Sequence, residues 1–192
     1  VYPGMMLTAH LVNFVVNGVL KAEEKLRDIC VLMAPAFSGA TAVAAYLVAR
    51  EVKDELAGLV AAAFMAVVPG YISRSVAGSY DYEGIAITLM MTMFWVWLRA
   101  VKTGRVATSV ACAGLYYYMA GSWGGYVFPI NLIPLHVVAL LVTGKYTPQL
   151  YTAYSTFYIF GTLSSLTIPF IAYQPVSTSE HMAAMGAFCL LQ

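Results

Sequence analysis

Between Gly70 and Gly84 the chain reads GYISRSVAGSYDYEG, and three of its side chains can do chemistry: Arg74, Asp81 and Glu83. Asp81 and Glu83 stand two positions apart. In extended backbone alternate side chains point the same way, so both carboxylates reach one cation; on a helix they diverge. Hard oxygen donors of this kind suit Mg²⁺ or Mn²⁺, ions that pair with phosphate groups. The competing reading puts the pair at the N-terminus of the next helix, where carboxylates complement the dipole and the free amides. Arg74 either steadies a carboxylate or a phosphate or snorkels from an apolar segment to an interface. Spacing alone leaves these alternatives open.

Other residues carry weaker signals. Trp123, in Trp-Gly-Gly-Tyr at a helix junction, is a weak candidate for substrate binding, although interfacial belts and helix packing account for most of the tryptophans and for Tyr116–Tyr118. His181, beside Glu180, either pairs with it, acts as an acid or base, or starts the next helix as a polar cap. Cys30, Cys112 and Cys189 lie in apolar segments without metal-ligand spacing and read as packing residues. No nucleophile triad, P-loop, dinucleotide fingerprint or zinc motif occurs.

The elements that must position these residues are apolar. Hydrophobic residues make up 61% of the chain and charged residues 10%, against about 25% charged in an ordinary soluble domain. This is the composition of an integral membrane protein. A net charge of +1 without a basic tail excludes a nucleic-acid partner. The fold class that follows is all-α, a polytopic transmembrane helix bundle of about six complete spans plus the start of a seventh. Spans are expected over 29–49, 56–73, 84–101, 106–122, 124–143 and 148–172, with His181 opening the last, since about 20 residues cross the hydrocarbon core. Gly58, Ala62 and Ala66 recur every fourth residue, which lets a neighbouring helix approach closely. Pro129 and Pro134 should bend the fifth span.

Residues 1–28 differ from the rest. Met5–Leu20 is apolar but interrupted by His10, Asn13, Asn17 and Gly18, and a charged stretch follows at Lys21–Asp28. That pattern predicts a surface helix with a charged exit, separate from a transmembrane bundle over 29–192 whose acidic turn spans 74–83. Arg50, Lys53, Arg99, Lys102, Arg105 and Lys145 fall in loops on one side of that bundle. The positive-inside bias makes this side cytoplasmic. The acidic turn then faces the opposite compartment, the lumen of the endoplasmic reticulum in a eukaryote. Val1 and the apolar run ending at Gln192 read as the limits of an internal piece of a longer protein.

Three blocks, VVPGYISRSVAGSYDYEGIAI, SWGGYVFPINLIPLHV and QPVSTSEHMAAMGAF, resemble the catalytic subunits of eukaryotic oligosaccharyltransferase, and the likeness extends over essentially the whole chain. The resemblance implies a GT-C-like membrane glycosyltransferase that moves a preassembled oligosaccharide from dolichyl diphosphate to Asn in N-x-S/T sequons. It places the family's D-x-D or D-x-E motif on Asp81-Tyr82-Glu83, as ligands of Mn²⁺ or Mg²⁺, and a catalytic bracing arginine on Arg74. Eukaryotic members usually carry Asn where Tyr82 stands, and a middle side chain pointing away from the metal predicts a small effect of that change. Implied partners are the dolichyl-diphosphate oligosaccharide, the acceptor polypeptide, other oligosaccharyltransferase subunits and the protein translocon. The family's further acidic residues and its W-W-D-x-G sequon reader are not in this chain, so alone it is expected to be inactive. Two rivals stand beside this reading: another polyprenyl-phosphate-sugar-dependent membrane glycosyltransferase, and a non-enzymatic ion-coordinating scaffold or transporter. Transporters usually keep their charges near mid-membrane, whereas those here fall at predicted span boundaries.

Overall fold

A computed structural model describes residues 2–192 and is all-α: among the described residues there is no strand. Two units fold compactly, residues 2–92 with 121–123, and residues 93–120 with 124–192. In the first, α1 (Pro3–Asn13) runs into a π-helical turn (Phe14–Val19), followed by α2 (Leu26–Val52), α3 (Glu55–Val67), the short α4 (Pro69–Ile72) and the first half of α5 (Tyr82–Thr103). The second holds the rest of α5, most of α6 (Val106–Ser122), α7 (Val127–Val142), α8 (Pro148–Ser165), the short α9 (Gln174–Ser177) and α10 (Met182–Leu191).

Among the described residues three helices are long and apolar enough to cross a bilayer: Leu26–Val52, Tyr82–Thr103 and Gly124–Val142, the last including a 3-10 turn before α7. The segment expected as a span over 56–73 is shorter. It stops at Val67 because Pro69 follows: the residue before a proline is driven out of the helical region, and Val68 sits at φ −66, ψ 121. Thirteen residues reach only about 20 Å. The stretch expected to run to Ala172 stops at Ser165 for the same class of reason, since Pro169 has no N–H for the Ser165 carbonyl and its ring crowds that group. In α7, Pro129 falls in the first turn, where its missing donor removes no helical bond, and Pro134 lies inside the helix.

In the N-terminal segment the polar residues serve the chain itself. Asn17 Nδ2 donates to the Glu24 carbonyl at 2.7 Å, and the Glu24 N–H donates back to Asn17 Oδ1 at 2.8 Å. This pair closes the charged loop as a strand partner would. α1 buries Met5 and Ala9 against Met33 and Ile85, with Phe37, Tyr82 and Leu89 around them. Its other face leaves Met6, Leu7 and Leu11 exposed, as is Phe14 in the π-helical turn.

α2 and α3 form a hairpin. Asp54 accepts the Ala57 N–H at 2.7 Å and caps α3. Of the small-residue stripe, only Gly58 is buried; Ala62 is half-buried and Ala66 exposed.

The second unit is built on aromatic rings. Trp97, Tyr116, Tyr154 and Phe157 are buried, with ring centroids 5.9 Å apart for Trp97–Phe157 and for Tyr116–Phe157. Their polar atoms are provided for: Trp97 Nε1 donates to His136 at 3.1 Å and the Tyr154 hydroxyl to the Ala184 carbonyl at 2.7 Å. Trp95 instead lies under the Arg99 guanidinium. All three cysteines are free thiols, and Cys112 is buried with its sulfur against the Met93 carbonyl.

A Cβ at Gly58 would stand 2.7 Å from Tyr46 Cδ2 and 2.9 Å from the Tyr46 carbonyl oxygen, a backbone atom that cannot swing aside. Gly58→Leu is therefore expected to destabilise the hairpin by about 1–3 kcal/mol. Thermal unfolding in detergent should show it, with Ala66→Leu as a control that stays within about 0.5 kcal/mol of the parent.

Candidate functional site: the Arg74–Asp81–Glu83 turn

The turn is fixed by backbone before any side chain acts. Pro35 lies inside α2 and has no N–H, so the Val31 carbonyl, four residues earlier, lacks its helical donor. The Gly78 N–H takes that place at 3.0 Å. Gly78 sits at φ +88 with open space where a side chain would begin. The backbone angle, not crowding, is what suits glycine here, since a residue with Cβ adopts it only under strain. The seating is tight: the cleft between Met33, Ala34 and Phe37 of α2 and Ser79, Tyr80 and Asp81 of the turn is too narrow for water.

Arg74 and the two carboxylates converge here. Arg74 Nε lies 3.0 Å from Glu83 Oε2, and Arg74 Nη1 lies 3.8 Å from Asp81 Oδ2. Both carboxylates are about a quarter exposed and the arginine about half exposed. Arg74 thus steadies carboxylates; it is not a lone snorkelling cation.

The extended backbone expected for Asp81–Glu83 is not found. α5 begins at Tyr82, so Glu83 is already in its first turn, and Asp81 Oδ1 accepts the Glu83 N–H at 3.3 Å. Asp81 caps the helix while Glu83 complements its dipole, so the capping reading describes the local geometry. Convergence survives because Asp81 lies just outside the helix and Arg74 reaches both acids.

The donor set fits a divalent cation in part. Two hard carboxylates flank one guanidinium, Glu83 at Nε and Asp81 at Nη1. Octahedral Mg²⁺ or Mn²⁺ needs about six donors, and among the described residues no group of three or more His, Cys, Asp or Glu is placed to hold a metal. Asp81 and Glu83 would supply only part of a coordination shell.

The remaining candidates stand apart. Trp123 is half-buried at the junction of α6 and the following 3-10 turn. Among the described residues no hydrogen bond or ion pair joins it to Arg74, Asp81 or Glu83. His181 precedes α10, as the helix-start reading has it, but makes no side-chain cap. No ion pair to Glu180 forms among the described residues. Instead its Nδ1 meets Thr178 Oγ1 at 2.8 Å and its ring lies tilted against Tyr126, 5.8 Å between centroids. The single Thr178 hydroxyl proton goes to the Gln174 carbonyl, so Nδ1 carries the proton towards Thr178 and the buried Nε2 is left with a lone pair and no partner. Burial lowers the His181 pKa, and the Glu180 charge opposes that shift.

All 192 residues match the model of the family described as oligosaccharyl transferase STT3, N-terminal. The chain belongs to the STT3 family. It is 57% identical over its whole length to a fission-yeast (Schizosaccharomyces pombe) dolichyl-diphosphooligosaccharide–protein glycosyltransferase subunit, covering 25% of that protein. The Saccharomyces cerevisiae subunit STT3 is 51% identical over 191 residues, 27% of its length. The chain therefore spans about a quarter of the length of the curated relatives it matches. Among solved structures, the archaeal oligosaccharyltransferase AglB from Archaeoglobus fulgidus, held with an inhibitory peptide and a dolichol-phosphate, superposes with a TM-score of 0.77 at 18% identity. That match covers 98% of this chain and 24% of that one. The same enzyme has been solved with Zn and sulfate. The structural likeness shows a shared fold.

In this STT3-family chain Tyr82 is half-buried and makes no hydrogen bond to Arg74 among the described residues. Its ring stands edge-on to Tyr2, 5.1 Å between centroids, and packs on the cluster of Met5, Ala9, Met33 and Ile85. The small effect expected of a change at Tyr82 concerned the metal site; this packing adds a cost in stability. Tyr82→Phe keeps the ring and should be silent. Tyr82→Asn removes it from beneath α1 and should cost about 1–3 kcal/mol, read as a lower unfolding midpoint and faster proteolysis near residues 14–25.

Proposed function

We propose that this chain is the acidic-turn portion of an oligosaccharyltransferase catalytic subunit. The full protein transfers a preassembled oligosaccharide from dolichyl diphosphate to the side-chain amide of Asn in N-x-S/T sequons. The observation that carries this reading is the meeting of Arg74 with Asp81 and Glu83 at the start of an apolar helix in an STT3-family chain. Support comes from relatives named as dolichyl-diphosphooligosaccharide–protein glycosyltransferase subunits and from an archaeal enzyme of the same fold solved with a dolichol-phosphate.

The residues present divide the work. Asp81 and Glu83 would hold part of the shell of a divalent cation, Mn²⁺ or Mg²⁺, whose charge would ease departure of a diphosphate leaving group. Arg74 offsets the repulsion between the two acids and keeps Glu83 Oε2 directed at the centre of the turn. The Asp81 cap starts α5 at a fixed residue, so Glu83 projects from a defined first turn. Remaining ligands, the groups that orient the acceptor amide and the sequon reader are assigned to other parts of the full-length protein. Trp123 is left as a candidate for binding the substrate at the α6 junction. Partners are the lipid-linked oligosaccharide, the acceptor polypeptide, the other subunits of the complex and the translocon. The location is the endoplasmic reticulum membrane, with residues 1–28 on its luminal surface and the acidic turn facing the lumen.

In the full-length protein, Asp81→Asn keeps a capping oxygen and Glu83→Gln keeps the helix, so both should fold. Each should cut oligosaccharide transfer to a sequon peptide by about a hundredfold. Arg74→Ala should lower transfer too, while moving stability by no more than about 1 kcal/mol, because the arginine is half exposed and the acids are a quarter exposed. Normal transfer by both acid variants at limiting Mn²⁺ would leave the turn as a helix cap alone.

Orientation has its own check. A single cysteine at Lys102 should react with a membrane-impermeant maleimide from the cytosol, and one at Ser79 only after the lumen is opened. The reverse pattern would place the turn in the wrong compartment.

A further inference from the structure

Thr41 sits in the middle of α2 and is fully buried. Its hydroxyl meets two others at 2.6 Å each: the Tyr71 hydroxyl in α4 and Thr88 Oγ1 in α5. Tyr71 lies three residues before Arg74, and Thr88 five residues after Glu83. One side chain of α2 therefore touches both flanks of the segment that carries the turn.

Three hydroxyls bring three hydrogens. Thr88 Oγ1 lies 2.9 Å from the Gly84 carbonyl and 3.1 Å from the Phe37 carbonyl, and Thr41 Oγ1 lies 3.0 Å from the Phe37 carbonyl. The Tyr71 hydroxyl meets Thr41 and no backbone carbonyl, so it donates to Thr41. Between them Thr41 and Thr88 share one further bond and the Phe37 and Gly84 carbonyls as acceptors, so every hydroxyl proton has a partner. A buried relay of this kind holds its members more firmly than isolated bonds would. Leaving one unmade strands a buried hydroxyl.

Such a network is more than the apolar packing of α2 on α5 requires. Three apolar residues would close the same space, and none would fix where α4 ends relative to where α5 begins. That relation sets the distance from Arg74 to Asp81 and Glu83. The second tie, from the Gly78 N–H to the Val31 carbonyl, holds the middle of the same segment to the same helix.

We propose that Thr41 is a positioning residue for the acidic turn: through Tyr71 and Thr88 it sets the register of Arg74 against Asp81 and Glu83. The proposal rests on the function given above.

The test uses the full-length protein in its complex, with Thr41→Val, Thr41→Ser, Tyr71→Phe and Thr88→Val. Thr41→Val keeps the shape and removes the relay; Thr41→Ser restores it; Tyr71→Phe deletes one arm at the cost of a single oxygen. Two readings are taken: amide hydrogen exchange across residues 76–83, and the Mn²⁺ concentration that half-saturates transfer to a sequon peptide. In Thr41→Val and Tyr71→Phe, exchange should quicken and the Mn²⁺ requirement rise, each by about fivefold. The acceptor KM should stay unchanged, and Thr41→Ser should return both readings to the parent's. If Thr41→Val fails to fold, Tyr71→Phe and Thr88→Val decide alone. Variants that lose thermal stability without moving either reading would overturn the proposal and leave Thr41 as packing. Asp81→Asn is run alongside: if it transfers normally, the function itself falls, whereas a dead Asp81→Asn beside an unmoved Thr41→Val refutes only the positioning role.

Discussion

A proline in the middle of an apolar helix leaves one carbonyl without its partner, and in a bilayer that group must find a donor within the protein. Pro35 does this to Val31, and the Gly78 N–H answers. The site follows from that exchange. A loop otherwise free to wander is fastened at its midpoint to a 27-residue helix, and the left-handed backbone at Gly78 lets it turn there. Arg74 comes in from one side and Asp81 from the other. The hydroxyls of Tyr71, Thr41 and Thr88 fasten the two ends. Side-chain charge contributes little to this framework, since the ion pairs are partly exposed and weak in themselves. Charge at the turn is held in place by structure that does not depend on it.

The membrane character of the chain is legible from composition, and so is the polar turn between apolar helices, because a carboxylate stands out where one residue in ten is charged. Helix ends are less legible. Pro69 and Pro169 are visible in the sequence, yet the apolar runs around them pass straight through at the level of hydropathy; only the lost N–H and the ring clash stop α3 at Val67 and α8 at Ser165. At Asp81 the sequence offers a shared metal face and a helix cap as if one excluded the other. The structure shows the cap, and because an N-cap residue lies outside the helix it starts, Asp81 still faces Arg74 alongside Glu83.

What cannot be read from the sequence lies in contacts between distant residues. Thr41 looks like any polar insertion in a span, and nothing local marks it as the partner of residues 30 and 47 positions away. Alternation points Tyr82 away from the carboxylates but does not identify Tyr2 and α1 as what it covers. Asn13 and Asn17 read as breaks in an apolar helix. Asn17 instead closes the loop that follows, work that becomes visible only when Glu24 is seen opposite it.

Asp81 has one carboxylate and two duties, starting α5 with one oxygen and facing Arg74 with the other. The two acids are therefore unequal before evolution. A change of side-chain length at position 83 alters only how far an oxygen extends from a helix that is already under way. The same change at position 81 moves the start of the helix, and with it the buried residues of its first turns. Drift can retune the outer acid, while the inner one is bound to the architecture.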